Sequence, residues 1–354
     1  MTAAIPQFQQ AAEVVNPGED FEIRIRNDIP VPEPAENEVL VKLTCTGLCH
    51  SEVRAVLNWS PYRSIIGHEG IGTVIKAGPG ATATAIPLNT RVGVKWLYSA
   101  CDTCSLCTRG HHHYCAKQVN TSRHVQGTLQ QYVLADARFL TRIPDGVPDI
   151  IAAPLLCAGL TMAGALGKLD NILNKGDFIV ISGSGGGLGH IGVQIAARVK
   201  GLRVIGVGAG PEKRGLSLES GAEVFVDYRT EDVEARVLEI TSEGAHASIV
   251  VPGTREAFAM APRVVRNMGI IVCVGLPRNE MELPISVTML AARGLSIIGS
   301  SVGTEEQMDE LLQQAAEGII TPSVEVFDFE DTQDLINRLK DDAVAGRVVV
   351  KIPA

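Results

Sequence analysis

The pattern of hydrophobic and polar positions changes near residue 158 of the chain. Before that point, short apolar and β-branched runs are separated by Gly and Pro, as in NEVLVKLTCTG, GIGTVIKAG and TRVGVKWL. Runs of this length and composition are typical of short strands. The first 150 residues are therefore expected to form a compact, mostly β domain.

After residue 158 the strand-like runs alternate with helical ones. DFIVISG, LGHIGVQIAARVKG and LRVIGVG predict a strand, a helix and a strand within about 30 residues, and both strands are apolar throughout. EVFVDY, ASIVVPG and GIIVCVG predict further strands, separated by helical stretches up to residue 300. We expect an α/β fold whose second part is a doubly wound parallel sheet buried on both faces.

A late helix is predicted over TEEQMDELLQQAAEG, because one helical face collects Met308, Leu311, Leu312 and Ala315. Thr304 and Gln307 have the spacing of a capping box at its start. With 354 residues, the chain is long enough for two domains.

The composition narrows the possible functions. Hydrophobic residues make up 45% of the chain and charged residues 20%, which is typical of a globular protein. The net charge of −9 argues against a nucleic-acid or anionic-membrane surface, since both need clustered Lys and Arg. We expect no signal peptide. We also expect no stretch of about 18 uncharged apolar residues, and therefore no segment that spans a bilayer. We therefore expect a cytoplasmic protein. Thiols stay reduced in the cytoplasm, so closely spaced cysteines indicate a metal site rather than disulfides.

Four of the eight cysteines fall in the stretch CDTCSLCTRGHHHYC. The four are Cys101, Cys104, Cys107 and Cys115. Four thiolates satisfy a closed tetrahedral zinc site and leave no open position for a substrate, so this site is predicted to be structural. For the neighbouring residues 111–113, all histidines, solvation at the surface is favoured over metal binding.

A second metal site is predicted from three separate segments, TGLCHSE, IIGHEG and LLCAGLT. They hold Cys49, His68 with Glu69, and Cys157. None is informative alone, because a lone cysteine or histidine usually belongs to the core. Together, two thiolates and one imidazole leave the fourth tetrahedral position open, as a catalytic zinc requires. Zinc lowers the pKa of a bound hydroxyl, which suits chemistry on an alcohol.

These segments, with VGVKWL, QQYV, ISGSGGGLG, GSSVG and the terminal GRVVV, run through essentially the whole chain. In these segments and their order, the chain resembles the zinc-dependent medium-chain alcohol dehydrogenases, in particular the yeast-type branch. The resemblance implies a GroES-like β-rich catalytic domain over 1–157 and 299–354, with a structural-zinc loop at 96–118. It also implies a Rossmann domain over 158–298, with the active site in the cleft.

The resemblance assigns two zinc ions to each chain. The catalytic zinc ligands it implies are Cys49, His68 and Cys157, with Glu69 as a nearby carboxylate that exchanges as a ligand. The residues that match the structural zinc site are Cys101, Cys104, Cys107 and Cys115. Cys45 and Cys273 match neither site and are expected in the core.

GSGGGLG, residues 183–189, follows a predicted strand and opens a predicted helix. Glycines in this context let the backbone approach a pyrophosphate. The loop begins at Gly183, and by resemblance Gly186, Gly187 and Leu188 form the turn that contacts a nicotinamide dinucleotide. The further cofactor contacts implied by the resemblance are His50, Lys213, Tyr228, Val274, Leu276, Ser300, Val302 and Arg347.

Two positions near the expected catalytic zinc depart from the family. Ser51 keeps the first hydroxyl of the proton relay, but Arg54, counted among the cofactor contacts, stands where a relay histidine is usual. Arginine cannot shuttle a proton near neutral pH. Glu52 stands where an Asp usually orients the catalytic histidine. Trp59 and Trp96 are expected to wall a small-alcohol pocket, with core packing as the alternative for each.

The choice of nicotinamide cofactor depends on the end of the second Rossmann strand. An Asp or Glu about 20 residues past the glycine turn usually binds the adenosine ribose and repels a 2′-phosphate. In LRVIGVGAGPEKR that position is Gly208, so the repelling carboxylate is missing, and Lys213 and Arg214 follow as potential phosphate partners. NADP(H) is therefore expected, with NAD(H) as the alternative in which Lys213 serves the ribose hydroxyls.

The predicted function is reversible hydride transfer between a nicotinamide cofactor and a small-molecule alcohol or aldehyde. An alternative on the same scaffold is reduction of a C=N or activated C=C bond in a specialised biosynthetic pathway, since this needs no relay histidine. A non-enzymatic zinc-ribbon interaction protein is a remote alternative, because it would leave the second metal site unused. The resemblance also favours a homo-oligomer, either a tetramer or a dimer.

Overall fold

The computed structural model describes residues 5–81 and 86–354 of the chain, and these residues form two units. The first unit comprises the described residues of Met1–Cys157, with Thr304–Ala316 and Val324–Ala354. The second comprises Ala158–Gly303 and Glu317–Ser323.

Both units contain strands and helices. The strands of the described residues are β1 (Phe8–Val15), β2 (Glu22–Pro30), β3 (Glu38–Leu48), β4 (Gly70–Ala77), β5 (Arg91–Val94), β6 (Leu97–Ser99), β7 (Val119–Asn120), β8 (Tyr132–Asp136), β9 (Thr141–Arg142), β10 (Phe178–Ser182), β11 (Arg203–Gly208), β12 (Val224–Asp227), β13 (Ala245–Val250), β14 (Val265–Cys273), β15 (Ser296–Gly299), β16 (Val324–Phe327) and β17 (Arg347–Lys351). The α-helices are α1 (His50–Val56), α2 (Asp149–Pro154), α3 (Leu160–Gly167), α4 (Gly189–Gln194), α5 (Pro211–Ser220), α6 (Val233–Thr241), α7 (Arg255–Val264), α8 (Val287–Arg293), α9 (Glu305–Ala316) and α10 (Thr332–Lys340).

The first unit is centred on a mixed seven-stranded sheet. Its strands lie in the order β16-β17-β3-β4-β5-β9, and β8 pairs with β3 outside this path. Two small ribbons, β1-β2 and β6-β7, complete the strands of this unit. The run TRVGVKWL forms two strands rather than one, because β5 ends before Lys95 and β6 begins at Leu97. The expected mostly β domain is confirmed.

Helix α9 belongs to the first unit and has the predicted capping box. The backbone N–H of Thr304 donates to Oε1 of Gln307 over 3.0 Å, and the N–H of Gln307 donates to Oγ1 of Thr304 over 3.2 Å. The buried Lys95 fixes the same end of the helix, because its Nζ lies 2.9 Å from Glu305. The apolar face predicted for α9 is buried at Met308 and at the two leucines after it.

The second unit is built on a six-stranded parallel sheet in the order β12-β11-β10-β13-β14-β15. Counted from β10, this is the 3-2-1-4-5-6 order of dinucleotide-binding doubly wound sheets. The central strands are apolar and fully buried, for example at Ile179, Val180 and Ile181 of β10. The predicted Rossmann sheet is therefore confirmed. The helix predicted over LGHIGVQIAARVKG consists of α4 and a π-helical turn at Ile195–Val199.

One helical stretch among the described residues, Asp149–Gly167, is long and apolar enough to cross a membrane, with a mean hydropathy of 1.9. The expectation that the sequence contains no such segment is therefore wrong as a statement about composition. Of its most apolar window, 67% is buried inside the protein. A helix that is apolar on all sides is covered either by protein or by lipid, and here protein covers most of it.

Candidate metal centres and dinucleotide-binding turn

The four clustered cysteines come together in the first unit. Sγ of Cys104 lies 3.5 Å from that of Cys107 and 4.0 Å from that of Cys115. Sγ of Cys101 lies 3.9 Å from that of Cys107 and 3.5 Å from that of Cys115. A tetrahedron with Zn–S bonds of about 2.3 Å has edges of about 3.8 Å, so these separations fit a zinc ion. They are too long for disulfides, and all eight cysteines are free thiols.

Local backbone geometry arranges these thiols. Two short 3₁₀ turns, Cys107–Arg109 and His112–Tyr114, fold the loop back on itself, with Gly110 at a φ of 80° between them. Hydrogen bonds from Thr103 and from the backbone of Cys104 lower the pKa of Cys101 to about 5. A thiolate is the form that binds zinc, so these bonds favour the state that the metal requires at Cys101. At Cys107 burial has the opposite effect and raises the pKa to about 12.

The neighbouring histidines take no part in the four-sulfur cluster. His112 lies 3.4 Å from Asp102 in an ion-pair geometry, and its ring packs on Phe139. His113 is buried, and its ring lies 4.3 Å from that of Tyr114. The expectation that the three histidines are solvated is therefore wrong for His113, because aromatic packing covers it.

The second predicted cluster also forms within the first unit. Ligand atoms of Cys49, His68, Glu69 and Cys157 all lie within 4.8 Å of one another. Nε2 of His68 is 3.5 Å from Sγ of Cys49 and 3.2 Å from Sγ of Cys157. With Zn–N and Zn–S bonds of about 2.1 and 2.3 Å, the corresponding tetrahedral edge is about 3.6 Å. The donor set and its spacing therefore fit a zinc ion.

Each ligand is placed by the end of a secondary-structure element. Cys49 follows β3 and caps α1, where its sulfur accepts the backbone N–H of Ser51 over 3.3 Å. His68 lies two residues before the start of β4 at Gly70. Cys157 lies in a π-helical turn, Leu155–Gly159, which follows the proline at the end of α2. Such turns inside helices are often found at functional sites.

Glu52 orients both His68 and the loop that carries Cys49. Its Oε1 lies 2.9 Å from Nδ1 of His68, and its Oε2 accepts the backbone N–H of Cys49 over 2.7 Å. The carboxylate is fully buried, and this burial raises the pKa of Glu52. A carboxylate on Nδ1 fixes the tautomer in which Nε2 presents its lone pair to a metal. The departure from Asp to Glu noted in the sequence therefore leaves the histidine well supported.

Glu69 is held by Arg347. Nη2 of Arg347 lies 2.5 Å from both carboxylate oxygens, and both side chains are buried. Burial raises the pKa of Glu69 to about 7, although the charge of Arg347 opposes this effect. Gly47 makes room for the carboxylate, since a Cβ at that position would lie 2.1 Å from Oε2 of Glu69. Arg347, expected as a cofactor contact, is thus the ion-pair partner of a predicted metal ligand.

Aromatic rings lie beside the second cluster. The Trp96 ring meets the ring of His68 edge-on at 5.3 Å, which places it next to the cluster. Tyr62, which no motif pointed to, lies 6.3 Å from Trp96. Trp59 packs with the two predicted cofactor contacts of α1: the guanidinium of Arg54 is 5.8 Å from its ring, and the ring of His50 is 6.3 Å away.

The two remaining cysteines differ in their surroundings. Cys45 is buried within β3, and burial raises its pKa to about 12. Cys273 is only partly buried at the end of β14. Cys45 is therefore a core residue as expected, whereas Cys273 lies at a strand end.

The glycine turn of the second unit connects β10 to α4. Gly183 has a φ of +73°, and a Cβ at Gly189 would lie only 2.0 Å from the carbonyl oxygen of Gly183. Among the described residues, the backbone N–H groups of Gly187 and Leu188 have no hydrogen-bond acceptor. Two unpaired N–H groups beside a tight glycine turn are suited to bind a phosphate.

The other cofactor contacts expected in the second unit lie at or just past the carboxyl ends of its strands. They are Gly208 in β11, Lys213 and Arg214 in α5, Tyr228 after β12, Val274 and Leu276 after β14, and Ser300 and Val302 after β15. Open α/β sheets bind their ligands at this edge. Val302 has a φ of 44°, which is strained for a β-branched residue, and strain of this kind clusters at functional sites.

A carboxylate that no sequence motif indicated lies close to Gly208. Asp227, at the end of the neighbouring strand, accepts the backbone N–H of Gly210 over 3.0 Å and that of Arg229 over 3.0 Å. These two bonds lower the pKa of Asp227. The space of a side chain at Gly208 is taken by the ring of Phe225, 2.9 Å from where its Cβ would lie. The register Gly208–Asp227 of β11 and β12 could not be read from the sequence.

Two family descriptions match most of the chain. Residues 35–145 match the family described as "Alcohol dehydrogenase GroES-like domain", and residues 187–317 match the family described as "Zinc-binding dehydrogenase". Alcohol dehydrogenase 2 of Emericella nidulans is 39% identical over 98% of this chain and 98% of its own length. An alcohol dehydrogenase of Geobacillus stearothermophilus is 37% identical over 99% of each chain.

Solved structures give the same result for the fold. The acetophenone reductase of Geotrichum candidum, solved in complex with NAD, superposes with a TM-score of 0.85 at 26% identity, over 98% of each chain. The alcohol dehydrogenase of Aeropyrum pernix superposes with a TM-score of 0.87 at 25% identity, over 97% of this chain and 100% of its own. The GroES-like and Rossmann expectations for the fold are confirmed.

Proposed function

We propose that this chain, which belongs to the zinc-dependent medium-chain alcohol dehydrogenase family, reversibly transfers a hydride between a nicotinamide dinucleotide and a small alcohol or aldehyde. The observation that carries the proposal is the cluster of two thiols and one imidazole at Cys49, His68 and Cys157. A four-thiol cluster alone would be structural, whereas three ligands leave a position for a substrate oxygen.

Several residues of the first unit have separate roles in the proposed reaction. We assign Cys49, His68 and Cys157 as ligands of a zinc ion, which when bound supplies Lewis-acid polarisation of the substrate oxygen. Glu52 keeps Nε2 of His68 directed at the cluster. Arg347 neutralises and holds Glu69, so that this carboxylate is a fourth ligand only when it leaves the ion pair.

Cys101, Cys104, Cys107 and Cys115 are assigned to the second zinc ion. Their role is structural, because the four sulfurs satisfy the coordination of the metal. The segments of the first unit therefore form the catalytic domain, and the parallel-sheet unit forms the dinucleotide domain, with residues 157 and 158 at the boundary.

Proton transfer is assigned to Ser51, whose backbone N–H already bonds the sulfur of Cys49. Arg54 packs against Trp59 and cannot accept a proton near neutral pH. The proton therefore leaves through the Ser51 hydroxyl and solvent, and Arg54 makes this release slow.

Trp96 limits the size of the substrate, because its ring lies beside that of His68. We propose small alcohols and their aldehydes as the substrate class. Trp59 is assigned to the rim of the same pocket through its contacts with Arg54 and His50.

The preferred cofactor in this proposal is NADP(H), whose nicotinamide would accept the hydride in alcohol oxidation and supply it in aldehyde reduction. Gly208 places no charge at the strand end, and the Arg214 guanidinium lies 5.9 Å from the ring of Phe225, which borders Gly208. Asp227 is the nearest opposing carboxylate, but both of its oxygens accept backbone N–H groups. An Arg held on an aromatic ring beside the ribose position suits a 2′-phosphate.

We also propose that the chain belongs to the yeast-type branch of the family, forms a homo-oligomer and is located in the cytoplasm. The fungal relative supports the yeast-type branch. Strand β15 is the last strand of its sheet, and helix α8 buries none of its residues, so this edge suits a homo-oligomer, a tetramer or dimer. Eight free thiols, six of them metal ligands in this proposal, need a reducing compartment such as the cytoplasm.

The test is a panel of alcohols, aldehydes and cyclic imines, assayed with NADH or NADPH and the corresponding oxidised forms. Turnover of small aldehydes and alcohols with a higher kcat/KM for NADP(H) is expected. Turnover of cyclic imines without any aldehyde or alcohol would contradict the proposed reaction. An enzyme that uses NADH at least as efficiently as NADPH would contradict the cofactor preference alone.

A further inference from the structure

His190 is a fully buried histidine that touches the glycine turn. Its Nδ1 lies 2.8 Å from the carbonyl oxygen of Gly186, which also accepts the backbone N–H of His190 over 3.2 Å. On the far side of the ring, Nε2 accepts the backbone N–H of Ser323 over 3.1 Å. The ring therefore links the turn to the segment Glu317–Ser323 of the same unit.

These partners define the state of the imidazole. A carbonyl oxygen only accepts and a backbone N–H only donates, so Nδ1 carries the proton and Nε2 does not. The histidine is therefore neutral in this arrangement, and each ring nitrogen has a separate task.

The bond to Gly186 also sets the direction of the next peptide group. The peptide bond is planar and trans, so the C=O of Gly186 and the N–H of Gly187 point in opposite directions. Because His190 holds that carbonyl on the helix side of the turn, the N–H of Gly187 is directed away from the helix. This N–H has no acceptor among the described residues.

We propose that His190 is a positioning residue for dinucleotide binding, which holds the Gly186–Gly187 peptide in the orientation that presents its N–H to the pyrophosphate. This inference rests on the proposed dinucleotide site. The two ring nitrogens of His190 have different roles in this proposal. The hydrogen bond of Nδ1 affects cofactor affinity, whereas the hydrogen bond of Nε2 only tethers the Glu317–Ser323 segment.

Gln194 offers a matched control on the same helical stretch. Its side chain donates to the carbonyl of Thr321 over 2.9 Å and accepts the N–H of Thr321 over 2.8 Å. It is buried like His190 and tethers the same segment, but it makes no hydrogen bond to the glycine turn. Loss of Gln194 therefore removes a tether without disturbing the turn.

The experiment measures dissociation constants for NADH and NADPH by fluorescence titration, and melting temperatures, for the zinc-loaded enzyme. The amide of His190→Asn occupies the place of Nδ1 and keeps the donor to Gly186, whereas His190→Gln places an acceptor near Nε2 and loses that donor. We expect His190→Gln to weaken both cofactors about tenfold, the value of roughly one buried hydrogen bond. His190→Asn and Gln194→Ala should melt earlier but keep the wild-type dissociation constants.

Equal weakening in His190→Asn and His190→Gln would overturn the inference, and so would weakening of the same size in Gln194→Ala. If His190→Gln fails to fold, unchanged affinity in His190→Asn still supports the role of Nδ1, and a tenfold loss there contradicts it. A wild-type enzyme that binds neither cofactor would instead contradict the proposed function. These failures are therefore distinguishable.

Discussion

Glu52→Gln should weaken zinc binding at the three-ligand cluster while leaving the four-cysteine site intact. Glu52 accepts two hydrogen bonds inside the protein, one from Nδ1 of His68 and one from the backbone N–H of Cys49. Glutamine has nearly the same shape but offers only one acceptor oxygen. Its amide nitrogen must therefore face one of two donors, or force the proton of His68 from Nδ1 to Nε2.

Either outcome lowers the affinity of the three-ligand cluster for zinc, and the size of the loss can be calculated. An unpaired donor in a fully buried position costs about 1–3 kcal/mol, which corresponds to roughly 5- to 150-fold in an equilibrium constant. A proton on Nε2 would occupy the lone pair that binds the metal. Changes to carboxylates behind metal-bound histidines typically cost about 10–100-fold in affinity or activity, which falls within the same range. We therefore expect a loss of about 10–100-fold in zinc affinity at this site.

The assay is the zinc content per chain across a series of chelator concentrations, together with kcat/KM for alcohol oxidation. The variant should release one zinc ion at lower chelator concentration than the wild type and recover activity in excess zinc. Glu305→Gln is the control, because it breaks the ion pair with Lys95 in the same unit without touching either cluster. A Glu52→Gln enzyme that retains both zinc ions and full kcat/KM would refute the role assigned to Glu52.

Three further substitutions test other parts of the site. Cys49→Ser should abolish activity with a near-normal melting temperature, whereas Cys104→Ser should lower the melting temperature, since structural zinc binding contributes folding energy; an unchanged melting temperature in Cys104→Ser would contradict the structural assignment. Arg54→His should raise the rate of alcohol oxidation at neutral pH or shift its pH profile, as measured by initial rates from pH 6 to 9; an unchanged profile would show that proton release is not limiting. Gly208→Asp should shift the ratio of kcat/KM toward NADH by about 10–100-fold, although the Phe225 ring must move to admit the side chain; an unaltered ratio would contradict the importance of charge at this position.

The features of the protein that could be predicted from the sequence are those that depend on residues close together in the chain. The strand runs predicted a parallel sheet in the second part of the chain, and the Thr304–Gln307 pair predicted the cap of α9. The spacing of the four cysteines could also be interpreted, because all of its ligands lie in one loop. For Cys49, His68 and Cys157 the residue types taken together predicted a metal site, and the family resemblance then assigned them as its ligands.

Contacts between distant segments could not be predicted in this way. Arg347 meets Glu69 across 278 positions of sequence, so its resemblance to a cofactor contact gave no indication of a buried ion pair. Asp227 approaches the loop after Gly208 only because β11 and β12 pair in a particular register. The solvation expected for His113 failed for a similar reason, since its burial depends on packing that a run of histidines does not encode.

The most direct test of the account is the zinc dependence of alcohol oxidation by the wild-type enzyme. The zinc ion of the three-ligand cluster, which has fewer protein ligands than the four-cysteine site, is removed with a chelator under conditions that leave about one zinc per chain. The rate of NAD(P)H formation from a small alcohol is measured before and after zinc is restored. We expect activity to disappear with loss of the ion at Cys49, His68 and Cys157, and to return when zinc is added back. Undiminished turnover by protein that lacks zinc at this cluster would contradict this expectation.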